Sequence, residues 1–142
     1  MTHSLISKPN FRALAIGAAT FATLYWISSI GLSKVLNWWY YPTLPNNLPY
    51  TISSSWLWRL LGWALYIVPG FVAGFIARRS GLMHGAIVGV LTAPIMAVFV
   101  YMVGFWSAIE FSSLIYGAVL GIIWCSLSGL VGEFVVSRVF PQ

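Results

Sequence analysis

Aspartate is missing from this 142-residue chain, and its only acids are Glu110 and Glu133. Charged residues make up 6% of the sequence, where a soluble domain carries about 25%. So few charges cannot cover a water-exposed surface, and a mean hydropathy of +0.89 points to lipid as the main solvent. The single cysteine, Cys125, excludes an internal disulfide, a CxxC redox pair and a thiolate metal cluster. With His3 and His84 as the only histidines, a metal site within one chain is not expected, and no cofactor is. No serine has a His–acid pair implied by local spacing, and no glycine pattern suited to phosphate binding precedes a helix. An enzyme is therefore not expected.

What is abundant is apolar sequence. A spanning helix needs ~20 mainly apolar residues. Four segments qualify, at 11–33, 56–77, 82–104 and 108–136. They predict an all-α fold, an integral membrane four-helix bundle forming one domain over 1–142, with short turns between helices two and three and between three and four. The first segment lacks an A-x-A-like cleavage site and is read as a retained helix. Lys8, Arg12, Arg78, Arg79 and Arg138 fall on one side of this topology, and Lys34 and Arg59 on the other. The excess of bases predicts that both termini and the Arg78–Arg79 turn are cytoplasmic. Bases at the ends of apolar runs imply anionic headgroups as partners, not nucleic acid. Lys8, Arg12, Arg78, Arg79 and His84 are the expected headgroup contacts.

The outer loop, 34–55, is rich in proline and aromatic residues. Trp38, Trp39, Tyr40, Tyr41, Tyr50, Trp56 and Trp58 in and beside it suit the headgroup layer as an aromatic belt, or a partner as a docking surface. Pro42, Pro45 and Pro49 forbid a regular helix there. Before helix four, Ser107 and Glu110 form a capping-box pattern. Arg59 and Glu110 could also pair near the outer side.

Small residues recur every four positions. Folding the chain about residues 79 and 80 sets Gly74 level with Gly85 and Gly70 level with Gly89, predicting an α-hairpin closed by glycines. A second ladder runs Gly85, Gly89, Ala93 and Ala97 on helix three and Gly117, Gly121, Cys125 and Gly129 on helix four. Folding about Ser107 pairs these as 97 with 117, 93 with 121, 89 with 125 and 85 with 129. In lipid, close packing of small-residue faces drives helix association, because apolar side chains gain nothing by exchanging hydrocarbon for each other. On this reading Cys125 is a small packing residue.

Glu133 lies one step beyond Gly129, at a depth shared with Arg78, Arg79 and Arg138. It reads as an ion pair locking helix four to the turn, or as a proton- or cation-responsive carboxylate. Pro69 and Pro94 interrupt helices two and three, which suits relieved kinks or unwound backbone at a transport site. His84 suits a bond to a backbone carbonyl or a lipid phosphate.

The hairpin GFVAGFIARRSGLMHGAIVG, residues 70–89, resembles a pattern in small four-helix bacterial inner-membrane proteins of unassigned function. That resemblance implies a fold and a location. Small multidrug transporters carry a buried Glu in the first helix and the vitamin K epoxide reductase-like oxidoreductases carry cysteine pairs; this chain has neither. The expected function is that of an accessory or assembly subunit, packing through its small-residue faces and aromatic loop against a membrane-protein partner or a second copy. The alternatives are a small oligomeric transporter or channel using Glu133, Pro69 and Pro94, and an immunity protein against a membrane-targeting toxin.

Overall fold

The computed structural model describes residues 8–28, 56–102 and 111–140. These residues form four helices and no strand: α1 (Phe11–Trp26), α2 (Trp56–Ala77), α3 (Gly81–Met102) and α4 (Phe111–Val139). Helices α2 to α4 contain stretches long and apolar enough to cross a membrane, at Leu60–Ala77, Gly81–Met102 and Leu114–Val139. Only 22–28% of the residues in these stretches are buried within the chain. Much of the remainder is apolar and half-buried or exposed, as in a membrane protein. At ~1.5 Å per residue, the 16 residues of α1 span about 24 Å, short of the ~30 Å hydrocarbon layer. Residues 29–33, expected to continue it, lie outside the described residues. So do residues 103–110, with Ser107 and Glu110, and the loop with Trp38, Trp39, Tyr40, Tyr41 and Tyr50. The side chains of Trp56, Trp58 and Arg59 are likewise outside the description.

Helices α2 and α3 form an antiparallel hairpin joined through residues 78–80. Both α1 and α4 pack on this hairpin. On the α1 side, a Cβ placed on Gly17 would come 2.9 Å from Val88 Cγ2 and 3.0 Å from Ala73 Cβ. The fully buried Phe21 ring lies 6.1 Å from that of Tyr66 on α2, and Tyr25 meets Phe99 on α3 edge-on at 5.0 Å. Ala73, Val88 and Cys125 form the buried centre, one from each of α2, α3 and α4.

The glycines do not pair across the hairpin as the sequence suggested. Gly70 lies against Cys125 and Ser128, and Gly74 lies against Gly129, so both face α4. On α3, Gly81 also meets Gly129, Gly85 meets Cys125, and Gly89 meets Gly121. Helix α4 is therefore seated in the groove between α2 and α3, and one small-residue ladder serves both walls. The α3–α4 register also differs from expectation by one four-residue rung: Gly85 opposes Cys125 rather than Gly129, and Gly89 opposes Gly121 rather than Cys125. Gly117 lies near Met96 and Tyr66 rather than opposite Ala97. Ala93 and Ala97 are half-buried. The shift carries Glu133 past the rungs to the start of α3.

At Gly74, Gly81, Gly85 and Gly89, the atom nearest a built Cβ is a carbonyl oxygen of α4. The hydrogen in that place on glycine points at the oxygen, giving Cα–H···O contacts worth roughly 0.5–1 kcal/mol each. A methyl group at Gly85 would lie 2.7 Å from the Cys125 carbonyl carbon, and that backbone cannot step aside. Gly62, by contrast, has nothing within 4 Å of such a methyl. We expect Gly85→Ala to lower unfolding stability in detergent by about 1–3 kcal/mol. Gly62→Ala should raise it by about 0.5–1 kcal/mol by removing backbone freedom from the unfolded chain. Equal effects in thermal melts would refute this assignment of the two faces.

Candidate functional site: the polar end of the helices

The start of α1, the end of α2, the start of α3 and the end of α4 meet at one end of the molecule. There the chain gathers Asn10, Arg78, Arg79, Ser80, His84, Glu133 and Arg138. The 78–80 turn is tight. Arg78 and Ser80 both have left-handed backbone, with φ of 59° and 56°. Left-handed backbone costs a non-glycine residue roughly 1–2 kcal/mol. Arg78 closes α2, its N–H donating to the Gly74 carbonyl at 3.1 Å.

Glu133 holds the other side of the turn. Its carboxylate accepts from the Ser80 N–H at 3.2 Å and from the Gly81 N–H at 2.6 Å. A helix start leaves four N–H groups without intrahelical partners and carries positive dipole charge. A carboxylate delivered from another helix answers both. Glu133 thus lies beside the turn that carries Arg78 and Arg79. What the sequence reading missed is this backbone partner, whose signal was Glu133 falling one step past Gly129 on the packed face. Arg138 extends over the Phe134 ring, 4.9 Å from its centre, as a cation–π contact. The guanidinium-bearing Arg78 and Arg79 line a cleft of about 220 Å³ with Val136, Ser137 and Phe140.

His84 ties α1 to this turn. It is 1% exposed, so of its two expected partners, a backbone carbonyl or a lipid phosphate, it meets the carbonyl and does not reach the headgroups. Its Nε2 lies 2.8 Å from the Asn10 backbone N–H, which can only donate. Nε2 must accept, so the ring proton sits on Nδ1 and is donated to the Ser80 carbonyl at 2.9 Å. The Asn10 side chain in turn caps α1, its Oδ1 accepting from the Arg12 and Ala13 N–H groups at 3.1 and 3.3 Å. A bonded path thus runs from α1 through His84 and Ser80 to Glu133 on α4. Lys8 and Arg12 are exposed beside it.

The residues that suggested a transport pathway do not converge. Pro69 is buried in mid-α2 against α1, whereas Pro94 is exposed on α3. Glu133 serves the start of α3, 13 residues or about 20 Å along the helix from Pro94. Elsewhere the polar side chains are turned onto backbone. Thr20, Thr23, Thr92, Ser126, Ser128 and Ser137 each donate to a carbonyl three or four residues earlier. The Cys125 thiol donates to the Tyr66 carbonyl at 3.0 Å, bridging α4 to α2. Among the described residues, no group of three or more His, Cys, Asp or Glu could hold a metal ion. Two apolar grooves open outward: one of about 400 Å³ between α1 and α3, with Tyr25, Trp26, Ile95 and Phe99, and one of about 220 Å³ between α2 and α4, with Phe71, Trp124, Leu127 and Val131. Comparisons with protein families, curated proteins and solved structures give no match for this chain.

Glu133→Gln keeps the shape but leaves one oxygen to accept and no charge. It should cost about 1–2 kcal/mol and speed amide hydrogen exchange at Ser80 and Gly81. His84→Phe fills the space but leaves the Asn10 N–H unpaired, costing about 1–3 kcal/mol and loosening the start of α1. Unchanged exchange at Ser80 and Gly81 in Glu133→Gln would rule out the cap.

Proposed function

We propose that this chain is a non-catalytic accessory or assembly subunit of a bacterial inner-membrane complex, with both termini and the 78–80 turn in the cytoplasm. The orientation is supported by the gathering of Lys8, Arg12, Arg78, Arg79 and Arg138 at one end, as the excess of bases on cytoplasmic segments requires. The expected resemblance to small four-helix inner-membrane proteins belongs to the same reading.

The observation that carries the subunit role is how the chain uses its polar groups. Glu133 and His84, which sequence alone could offer to a proton or an ion, bind backbone of their own chain. The hydroxyls of Thr20, Thr23, Thr92, Ser126, Ser128 and Ser137 do the same. The helices' glycine ladders are filled by one another, so surface left for a partner consists of large apolar side chains. On α4 these include Ile123, Leu127, Leu130 and Phe134, between 48% and 54% exposed, beside the groove at Trp124. An α-helix of 29 residues is about 43 Å long, enough to present that face across the whole bilayer.

A photo-crosslinking residue at Leu127, in cells expressing the full chain, tests this. The expected result is one discrete protein adduct, a second copy or a distinct subunit, absent when the probe is at Gly117 on the buried face. Crosslinks to lipid alone, together with purification as a lone monomer from mild detergent, would overturn it.

A further inference from the structure

We infer that the cleft between the 78–80 turn and the end of α4 is a discrete site for a phosphate-bearing anion, and that its occupant is the headgroup of an anionic phospholipid. This deepens the membrane placement proposed above and rests on it, but not on a protein partner.

Two guanidinium-bearing residues, Arg78 and Arg79, line the cleft. Arginine presents a planar fork of donors that matches phosphate oxygens in pairs. The cleft is also lined by Val136 and Phe140, which are apolar. A soluble anion has no use for such a lining, whereas the glycerol and first methylenes of a phospholipid do. At ~30 Å³ per water, the cleft's volume of about 220 Å³ equals about seven waters. That suffices for a phosphate and its glycerol, with the acyl chains left to the bilayer.

The N–H groups of Arg78, Ser80 and Gly81 are already committed. The Ser80 and Gly81 N–H groups hold Glu133, and the Ser137 hydroxyl donates to the Phe134 carbonyl. An outside anion in this cleft meets the two cations that line it, Arg78 and Arg79, and its affinity should follow them. Arg78 adds a second indication. Its left-handed φ of 59° is one that glycine adopts freely, yet the position carries a long cation beside the cleft. Lys8 and Arg12 are exposed at the start of α1, which packs on the hairpin apart from α4's C-terminal cleft. They supply the comparison between diffuse attraction and a site.

The test is native mass spectrometry and lipid titration of the purified full chain, exchanged from phosphatidylcholine nanodiscs into ones doped with phosphatidylglycerol. We expect one phosphatidylglycerol retained per chain with a saturable dissociation constant, raised at least tenfold by Arg78→Gln/Arg79→Gln. Arg78→Gly should weaken retention with no loss of thermal stability, which separates binding from folding. Lys8→Gln/Arg12→Gln should change the constant less than threefold. Equal losses in the two double variants would overturn the site in favour of diffuse attraction, as would equal retention of phosphatidylcholine. Inorganic phosphate that saturates the cleft as tightly as the lipid would overturn the lipid as its source. A failed crosslink at Leu127 leaves these readouts untouched, so the two proposals fail separately.

Discussion

Everything in this molecule depends on how closely backbone can approach backbone along α4. Hydrocarbon offers apolar side chains as good an environment as a protein core, so burial alone does not hold helices together in it. Contact density and weak polar contacts must do so instead. Gly74 on α2 and Gly81, Gly85 and Gly89 on α3 all approach carbonyl oxygens of α4. One ladder on α4 thus closes two interfaces, whereas two separate helix pairs would have needed a ladder each. On the hairpin's other face, α1 is held by larger groups: Phe21 and Tyr25 against Tyr66 and Phe99.

Such ladders have a weakness, since a pattern repeating every four residues packs nearly as well after a slip of four. Polar contacts of fixed length break that degeneracy. Glu133 can reach the Ser80 and Gly81 N–H groups in one register alone, and the Cys125 thiol reaches the Tyr66 carbonyl in that same register. His84 sets the position of α1 in the same way, through Asn10. The apolar contacts bring the helices together, and these few bonds determine how they align. This is the use of buried polar groups best supported in other helical assemblies, where a single polar residue fixes register.

Much of this was legible in the chain. Long apolar runs broken at residues 78–80 marked α2 and α3 as helices able to cross a membrane, because backbone in hydrocarbon must satisfy its own hydrogen bonds. Small residues at four-residue spacing marked the faces that pack. Which face meets which was not legible, since Gly70 and Gly74 match the ladder of α3 as well as that of α4. Choosing between them required the three-dimensional groove. The partners of Glu133, and which backbone groups His84 would meet, were hidden for a different reason: they are backbone atoms of Ser80, Gly81 and Asn10, and backbone atoms leave no trace in residue identity. The arginines drew attention to the right turn, but the bonds that hold it there belong to its amides.

The shared ladder also bears on the order in which the protein is made. Synthesis completes the hairpin before α4 exists, so for a time the groove stands open, its glycine backbone facing acyl chains that cannot fill so narrow a channel. A nascent chain at this stage is a half-built joint, prone to accept any passing helix with small residues at the proper spacing. Only eight residues separate the described ends of α3 and α4, which limits that interval by keeping the proper occupant close at hand. Fidelity of assembly then rests on proximity along the chain as much as on fit.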